Sequence, residues 1–328
     1  MRTAFVTGAN GFVGLNLVQE LTRTGWEVTC LHRPTSDLTY LKRFPVKLVP
    51  GSITDPASLL TAIPENIDAL FHVAGNTSFW AKRNAEQTAD NVDGTRNVVA
   101  AALARKTRKL ILTSSISAYG DQSGEVTEST PSNAPTSWIN YQRSKWLAEA
   151  EVRKGIRAGL PAVIMNPGGI VGPFDADGWG RLFKLVQERK LPGVPSGALS
   201  FGHAREVVRA HIAAVDQGKV GENYLLAGTD ASFLELVGII GELLDRPVPK
   251  RPVPTLVLQI LARIQTAIAA RTGRPPTLTP ETVATVSKRL TCPSIKAQRI
   301  LGYKLVPLRT MLQDNYDWLV AEGKLTKA

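Results

Sequence analysis

Apolar and polar positions alternate between two periods along the first half of the chain. Thr3-Ala4-Phe5-Val6 is a short run of strand-forming residues. Phe12, Val13, Leu17, Val18 and Leu21 then recur at helical spacing until Gly25. Further strands are predicted at 26–31, 46–50 and 68–73. Asp55-Pro56 opens a short helix, with the aspartate as N-cap and the proline at the first helical position. A long helix is predicted over 86–104, a fifth strand over 110–113, a helix over 139–157 and a sixth strand over 161–165. Strand and helix taking turns in this way predict an α/β fold with a doubly wound parallel sheet. Ligands of such sheets bind outside the carboxyl ends of the strands, so the loops 8–14, 74–80 and 114–115 are expected to converge.

Beyond residue 170 the alternation loosens. Helices are predicted near 179–189, 206–217 and 232–244, with one short strand at 223–226 and a closing helix carrying Trp318. We therefore expect one domain at 1–170 and a smaller, mostly helical substrate lobe at 171–328, the chain crossing between them around 200–230. The helix at 256–271 has an apolar face (Leu256, Val257, Ile260, Leu261, Ile264, Ile268) interrupted by Arg263, so it is amphipathic and does not span a membrane. Its expected role is a lid over a substrate pocket, with contact to a lipid surface as the alternative.

Composition narrows the class. Of 328 residues, 43% are hydrophobic and 20% charged, the balance of a soluble globular protein. The first strand is predicted to begin at once, so no signal peptide is expected. The only cysteines, Cys30 and Cys292, are read as structural thiols of a reducing cytoplasm. The net charge of +11 is uneven, since residues 246–328 hold 14 basic and 4 acidic residues. With these dispersed and no nucleic-acid motif present, a solvated basic face is expected and nucleic acid is not. His203 and His211 belong to no metal set, and His72 at a strand end is read as structural.

The turn Thr7-Gly8-Ala9-Asn10-Gly11-Phe12-Val13-Gly14 lies between a strand and a helix, the context of a dinucleotide site. Gly8 allows the sharp turn, Gly11 lets amides approach a pyrophosphate at the helix N-terminus, and Gly14 lets helix and sheet pack closely. The second strand ends at Arg33 without an acidic residue for a ribose 2′-hydroxyl. A guanidinium there suits a 2′-phosphate, so NADP(H) is favoured over NAD(H). Tyr141 and Lys145 lie one helical turn apart, and an ammonium near a phenol favours the phenolate. With Ser115 after the fifth strand, they make a general acid/base and an oxyanion holder facing a hydride carrier. Phe79, Trp80 and Trp179 either line an apolar substrate pocket, together with Asn76, or merely pack against the smaller lobe.

The motifs TGANGFVG (7–14), HVAG (72–75), NVDGT (91–95), TSSISAYG (113–120), YQRSK (141–145) and NPGGIVGP (166–173) resemble the extended short-chain dehydrogenase/reductase family, of the NAD-dependent epimerase/dehydratase superfamily. FGHAREVVRAH (201–211) and SIKAQRILGY (294–303) extend the likeness over nearly the whole chain, most like the dihydroflavonol-reductase and 3β-hydroxysteroid-dehydrogenase-like branch. The resemblance implies a Rossmann sheet and makes Ser115, Tyr141 and Lys145 catalytic. It puts Gly8, Gly11, Phe12 and Val13 at the pyrophosphate, Arg33 near the 2′-phosphate, Ser52-Ile53 by the adenine, Ala74 near the ribose and Pro167 beside the nicotinamide. A homodimer is implied by analogy alone.

Four departures stand out: the first weakens the expected adenine contact, and the last two count against a nucleotide-sugar substrate. Ser52 stands where many relatives have aspartate, and Arg205-Glu206 replace a paired acidic stretch. Leu199 stands where nucleotide-sugar relatives have an arginine for the diphosphate. Ile116-Ser117 follow Ser115 where sugar dehydratases carry Asp-Glu. The expectation is an NADP(H)-dependent reductase of a ketone or aldehyde, or dehydrogenase of the alcohol, acting on a moderately apolar small molecule. The alternatives are an NAD-dependent nucleotide-sugar epimerase and a non-catalytic NADP(H)-sensing protein of the same fold.

Overall fold

The computed structural model describes residues 1–326. Strand β1 (Thr3–Thr7) leads through the glycine turn into α1 (Phe12–Arg23). Next come β2 (Glu27–His32), β3 (Lys47–Pro50), α2 (Pro56–Ala62) and β4 (Ala69–His72). The long helix expected at 86–104 is instead three pieces: α3 (Asn84–Thr88), a π turn (Ala89–Asp93) and α4 (Gly94–Ala104). The chain returns to β5 (Leu110–Thr113), passes the short β6 (Gly124–Glu125), and enters α5 (Asn140–Arg157) and β7 (Ala162–Pro167). Then follow β8 (Gly169–Val171), α6 (Arg181–Gln187), β9 (Ala198–His203), α7 (Ala204–Gln217) and β10 (Asn223–Leu226). The remainder is β11 (Thr229–Ser232), α8 (Phe233–Leu243), α9 (Thr255–Thr272), α10 (Pro280–Val286), β12 (Arg289–Thr291), α11 (Ile295–Leu301) and α12 (Leu308–Ala321).

Seven strands form one sheet in the order β10-β7-β5-β4-β1-β2-β3, every pair parallel. This is the expected doubly wound Rossmann sheet. Alternate side chains serve opposite faces. Val6, Phe71, Ile111 and Met165 pack with Leu17 and Val18 of α1 and Val207 of α7. Phe5, Leu70, Leu112 and Ile164 pack with Leu59 of α2, Val98 of α4 and Val152 of α5. Burial on both faces explains why these strands read as apolar runs. The strand order reverses between β1 and β4, which opens a crevice above their carboxyl ends.

The lobe expected to be mostly helical is built round a second sheet, which the sequence pattern did not predict. Its order is β11-β9-β12-β6, with β8 beside β9. Here β9 is antiparallel to β11 and parallel to β12, and Leu290-Thr291 of β12 pair with Gly124-Glu125 of β6. Phe183, Phe201, Phe233, Leu236, Met311 and Leu312 fill the core behind it. Each strand here is short, and β9 is buried at nearly every position, so neither alternation nor length marks it. His203, expected on a loop, ends β9 and caps α7 by accepting from the Arg205 amide. The two sheets exchange chain: β6 reaches from the first half into the small sheet, and β10 reaches back to the edge of the large one. Among the described residues no helix is long and apolar enough to cross a membrane. Cys30 and Cys292 are buried free thiols, each pushed up to about 12 by burial.

Candidate active site

The glycine turn rises from β1 at the reversal point. Gly8 has φ +70°, and a Cβ on it would stand 2.5 Å from the Ala74 amide nitrogen, so the loops after β1 and β4 touch. A Cβ on Gly14 would stand 2.0 Å from the Gly8 carbonyl oxygen, which locks α1 against the turn. Gly11 is exposed and is the N-cap of α1, with no side-chain cap and no acidic residue in the first turn. The first-turn amides, Phe12 and Val13 among them, are therefore open donors at the positive helix end. This cradle fits a pyrophosphate, and a side chain at position 8 or 14 would clash with the backbone that shapes it. Arg33 is exposed just past β2, and Pro167 ends β7 opposite Leu226. Ser52 Oγ pairs with Thr54, and the Ile53 side chain lies against Gly94 of α4.

Tyr141 and Lys145 occupy the first and second turns of α5, both buried. Lys145 Nζ donates to the Thr113 carbonyl of β5 at 3.2 Å, and a Cβ on Gly75 would lie 3.2 Å from that nitrogen. The ammonium thus sits between the ends of β5 and β4. Ser115 follows β5 with extended backbone and accepts from the Ser117 amide. Its hydroxyl reaches Tyr141, where the hydrogen bond opposes the dominant effect of burial. Burial wins and raises the phenol above its ordinary value. This corrects the expectation that Lys145 holds Tyr141 down. Lys145 is itself pushed down to about 8 by burial, with Glu149 pulling the other way. Both charged forms are penalised because water is excluded from the seat.

Glu149 went unrecognised in the sequence although it extends the same spacing by one more turn. Its buried carboxylate accepts from Ser114 Oγ and Asn166 Nδ2, each at 2.6 Å, and from Asn223 Nδ2 at 3.0 Å. Asn166 Nδ2 also donates to the Ser115 carbonyl. The ends of β5, β7 and β10 are thereby tied to α5 beneath the three catalytic candidates. Asn91, in the π turn, does the same for the β4 loop. It accepts from the Asn76 amide at 2.7 Å and donates to the Asn76 carbonyl and Ser144 Oγ. The motif NVDGT marked this stretch, but nothing local marks the bulge that aims Asn91.

His72 has the structural role expected of it. The Thr95 hydroxyl donates to the Asn91 carbonyl, so it accepts from His72 Nε2, and Thr7 Oγ1 donates to Nδ1. Burial lowers this imidazole to about 3, aided by the Lys145 charge. Among the described residues no cluster of His, Cys, Asp or Glu could hold a metal.

The expected pocket residues separate. The Phe79 ring lies 5.2 Å from that of Tyr141, and Asn76 is in the adjoining loop. Trp80 is buried. Trp179 stacks on Phe233 at 5.5 Å and meets Phe201 edge-on, so it belongs to the core of the smaller lobe.

Residues 4–227, well over half of the chain, match the family described as NAD dependent epimerase/dehydratase. A Synechocystis sp. protein carrying a provisional dihydroflavonol 4-reductase name is 28% identical over 327 residues, spanning 97% of this chain and 95% of its own. Sterol demethylase protein B of Methylococcus capsulatus is 28% identical over 328 residues, spanning 98% of this chain and all of its own (100%). The crystal structure of gox2253 has a TM-score of 0.85 at 31% identity, covering 99% of this chain and 100% of that one.

Proposed function

The chain belongs to the NAD dependent epimerase/dehydratase family, and on that premise we propose that it is an NADP(H)-dependent carbonyl reductase. Its substrate is a ketone or aldehyde of a moderately apolar small molecule or, in reverse, the alcohol. Residues 1–170 hold the cofactor and 171–328 the substrate. The observation that carries this reading is the placing of Tyr141 and Lys145, buried one turn apart on α5. Lys145 Nζ is bonded to the end of β5 and lies close to Gly75, in the β4 loop that meets the glycine turn. The dinucleotide, when bound, supplies the hydride. Tyr141 Oη, kept in its protonated form by burial, gives its proton to the carbonyl oxygen as negative charge grows there. Ser115 Oγ donates to the same oxygen and steadies its growing charge. Glu149 favours the charged form of Lys145, whose ammonium is held at the end of β5 beside the seat. The Phe79 ring beside Tyr141 keeps water from the apolar side of the seat.

Replacing Tyr141 tests this directly. Tyr141→Phe lowers kcat by about 10²–10⁴-fold for a carbonyl reduced with NADPH, the range for loss of one general acid. NADPH affinity, read by fluorescence titration, stays at its wild-type value. Wild-type turnover in the variant overturns the assignment. A nucleotide-sugar epimerase would use the same three side chains but retain NAD through its cycle. Leu199, within β9, offers no charge to a sugar diphosphate. Cofactor released by denaturing the purified protein separates the two, since retained NAD marks the epimerase. A non-catalytic NADP(H) sensor would leave NADPH unconsumed across a carbonyl panel.

A further inference from the structure

Helix α9 turns its larger apolar side chains outward. Leu256, Val257, Ile260, Ile264 and Ile268 are 67, 51, 52, 53 and 53% exposed, whereas the helix buries Leu258, Ala262 and Ala269. With 3.6 residues per turn, positions 256, 260, 264 and 268 form one stripe with Val257 beside it. Five of the twelve large hydrophobic side chains exposed among the described residues are on this helix. Single exposed leucines are ordinary, but a contiguous stripe marks a surface that meets something apolar.

The charge around the stripe narrows what that is. Residues 246–280 contain Arg246, Lys250, Arg251, Arg263, Arg271 and Arg274, all exposed, and no acidic residue. A second copy meeting this face isologously would bring two such basic sets together and be repelled. A lid closing on this chain's own pocket would bury the stripe, yet the stripe faces solvent. An anionic lipid surface satisfies both features, since basic residues flanking an amphipathic helix are attracted to its headgroups while the apolar face enters the acyl boundary. The helix is too short of apolar length to cross.

We propose that α9 lies in the surface of an anionic lipid bilayer, its Leu256–Ile268 stripe among the acyl chains and its six basic residues at the headgroup phosphates. The docking face is coupled to the catalytic candidates. Gln265 Oε1 accepts from the Leu278 amide, Thr279 Oγ1 donates to the Phe79 carbonyl, and the Phe79 ring meets Tyr141. Docking there sets the mouth of the seat at the bilayer and selects a carbonyl compound dissolved in lipid, a clause that rests on the reductase reading above.

Vesicle flotation of the full chain, with neither cofactor nor substrate, tests the docking apart from the chemistry. Two compositions are used: phosphatidylcholine alone, and phosphatidylcholine with phosphatidylglycerol. The protein is expected to float with the anionic vesicles, to stay behind with the neutral ones, and to be released by raised salt. Ile260→Asn with Ile264→Asn is expected to lower the bound fraction about tenfold, and Arg263→Ser with Arg271→Ser to lower it as well. These positions are exposed, so circular dichroism and melting are expected to match the wild type. Wild-type protein left behind by both vesicles overturns the proposal. So does an asparagine variant that floats like the wild type, or a wild-type dimer that the asparagine variant dissociates. Failure to float leaves the reductase reading standing, and an inactive protein that floats leaves the docking standing.

Discussion

Burial acts on Tyr141 and Lys145 in the same sense, against charge, and this produces a pH signature. Lys145 has its amine lowered to about 8 from an ordinary 10.5. Between those values the unfolded chain holds a proton that the folded one has shed, so unfolding free energy rises with pH through that interval. Below pH 8 the penalty for the buried ammonium is present in full. Tyr141 acts the other way above about 10, where the unfolded phenol ionises and the raised, buried one does not. The buried thiols of Cys30 and Cys292 act against this above about pH 9 in any variant that keeps them. The expected outcome is therefore a gain of the wild type relative to Lys145→Met from about pH 8 to 10 in urea melts. Arg33 supports a second residue-scale prediction. It is exposed at the end of β2 with no acidic neighbour in sequence until Asp37. Arg33→Ser should weaken NADPH about tenfold, the loss of one charge-assisted contact to phosphate, and leave NADH nearly unchanged. Paired titrations with the two cofactors check it.

At the scale of elements, the glycine turn and α1 behave as one unit. Position 14 has no room for a methyl group, because the clash is with the Gly8 backbone and not with a side chain that could swing aside. Gly14→Ala should cost about 1–3 kcal/mol or more, as overpacking does, and should cost cofactor affinity as well, because the first-turn amides move with α1. Chemical denaturation with and without NADPH separates the two losses. Helix α5 was legible from its spacing and from the YQRSK motif, because local periodicity is a property of neighbours in the chain. The π turn at Ala89–Asp93 was not. Within it Asn91 bonds both the Asn76 backbone and Ser144, partners 15 and 53 residues away that no local pattern records.

For the whole molecule, the exchange of β6 and β10 between the two sheets couples the lobes. Neither half of the chain completes its own sheet, so the protein should unfold in one transition, with calorimetric and van't Hoff enthalpies equal. NADPH at about a hundred times its dissociation constant should raise the stability of that single transition by about 2.7 kcal/mol. Two resolved transitions, only one of them moved by NADPH, would contradict this coupling.

The amino-acid sequence by itself determined the run of strands and covering helices, the glycine turn between β1 and α1, and the placing of Tyr141 and Lys145 one turn apart on α5. Each of these is written in positions close together or in a spacing that a helix or strand repeats. Tertiary structure alone decided the second sheet, the Glu149 and Asn91 networks, the place of Trp179 in the small lobe, and the outward stripe of α9. It also reversed the expected direction for the Tyr141 phenol. The reason is common to all of them: pairing, burial and exposure depend on which distant segments meet, and no local pattern records that.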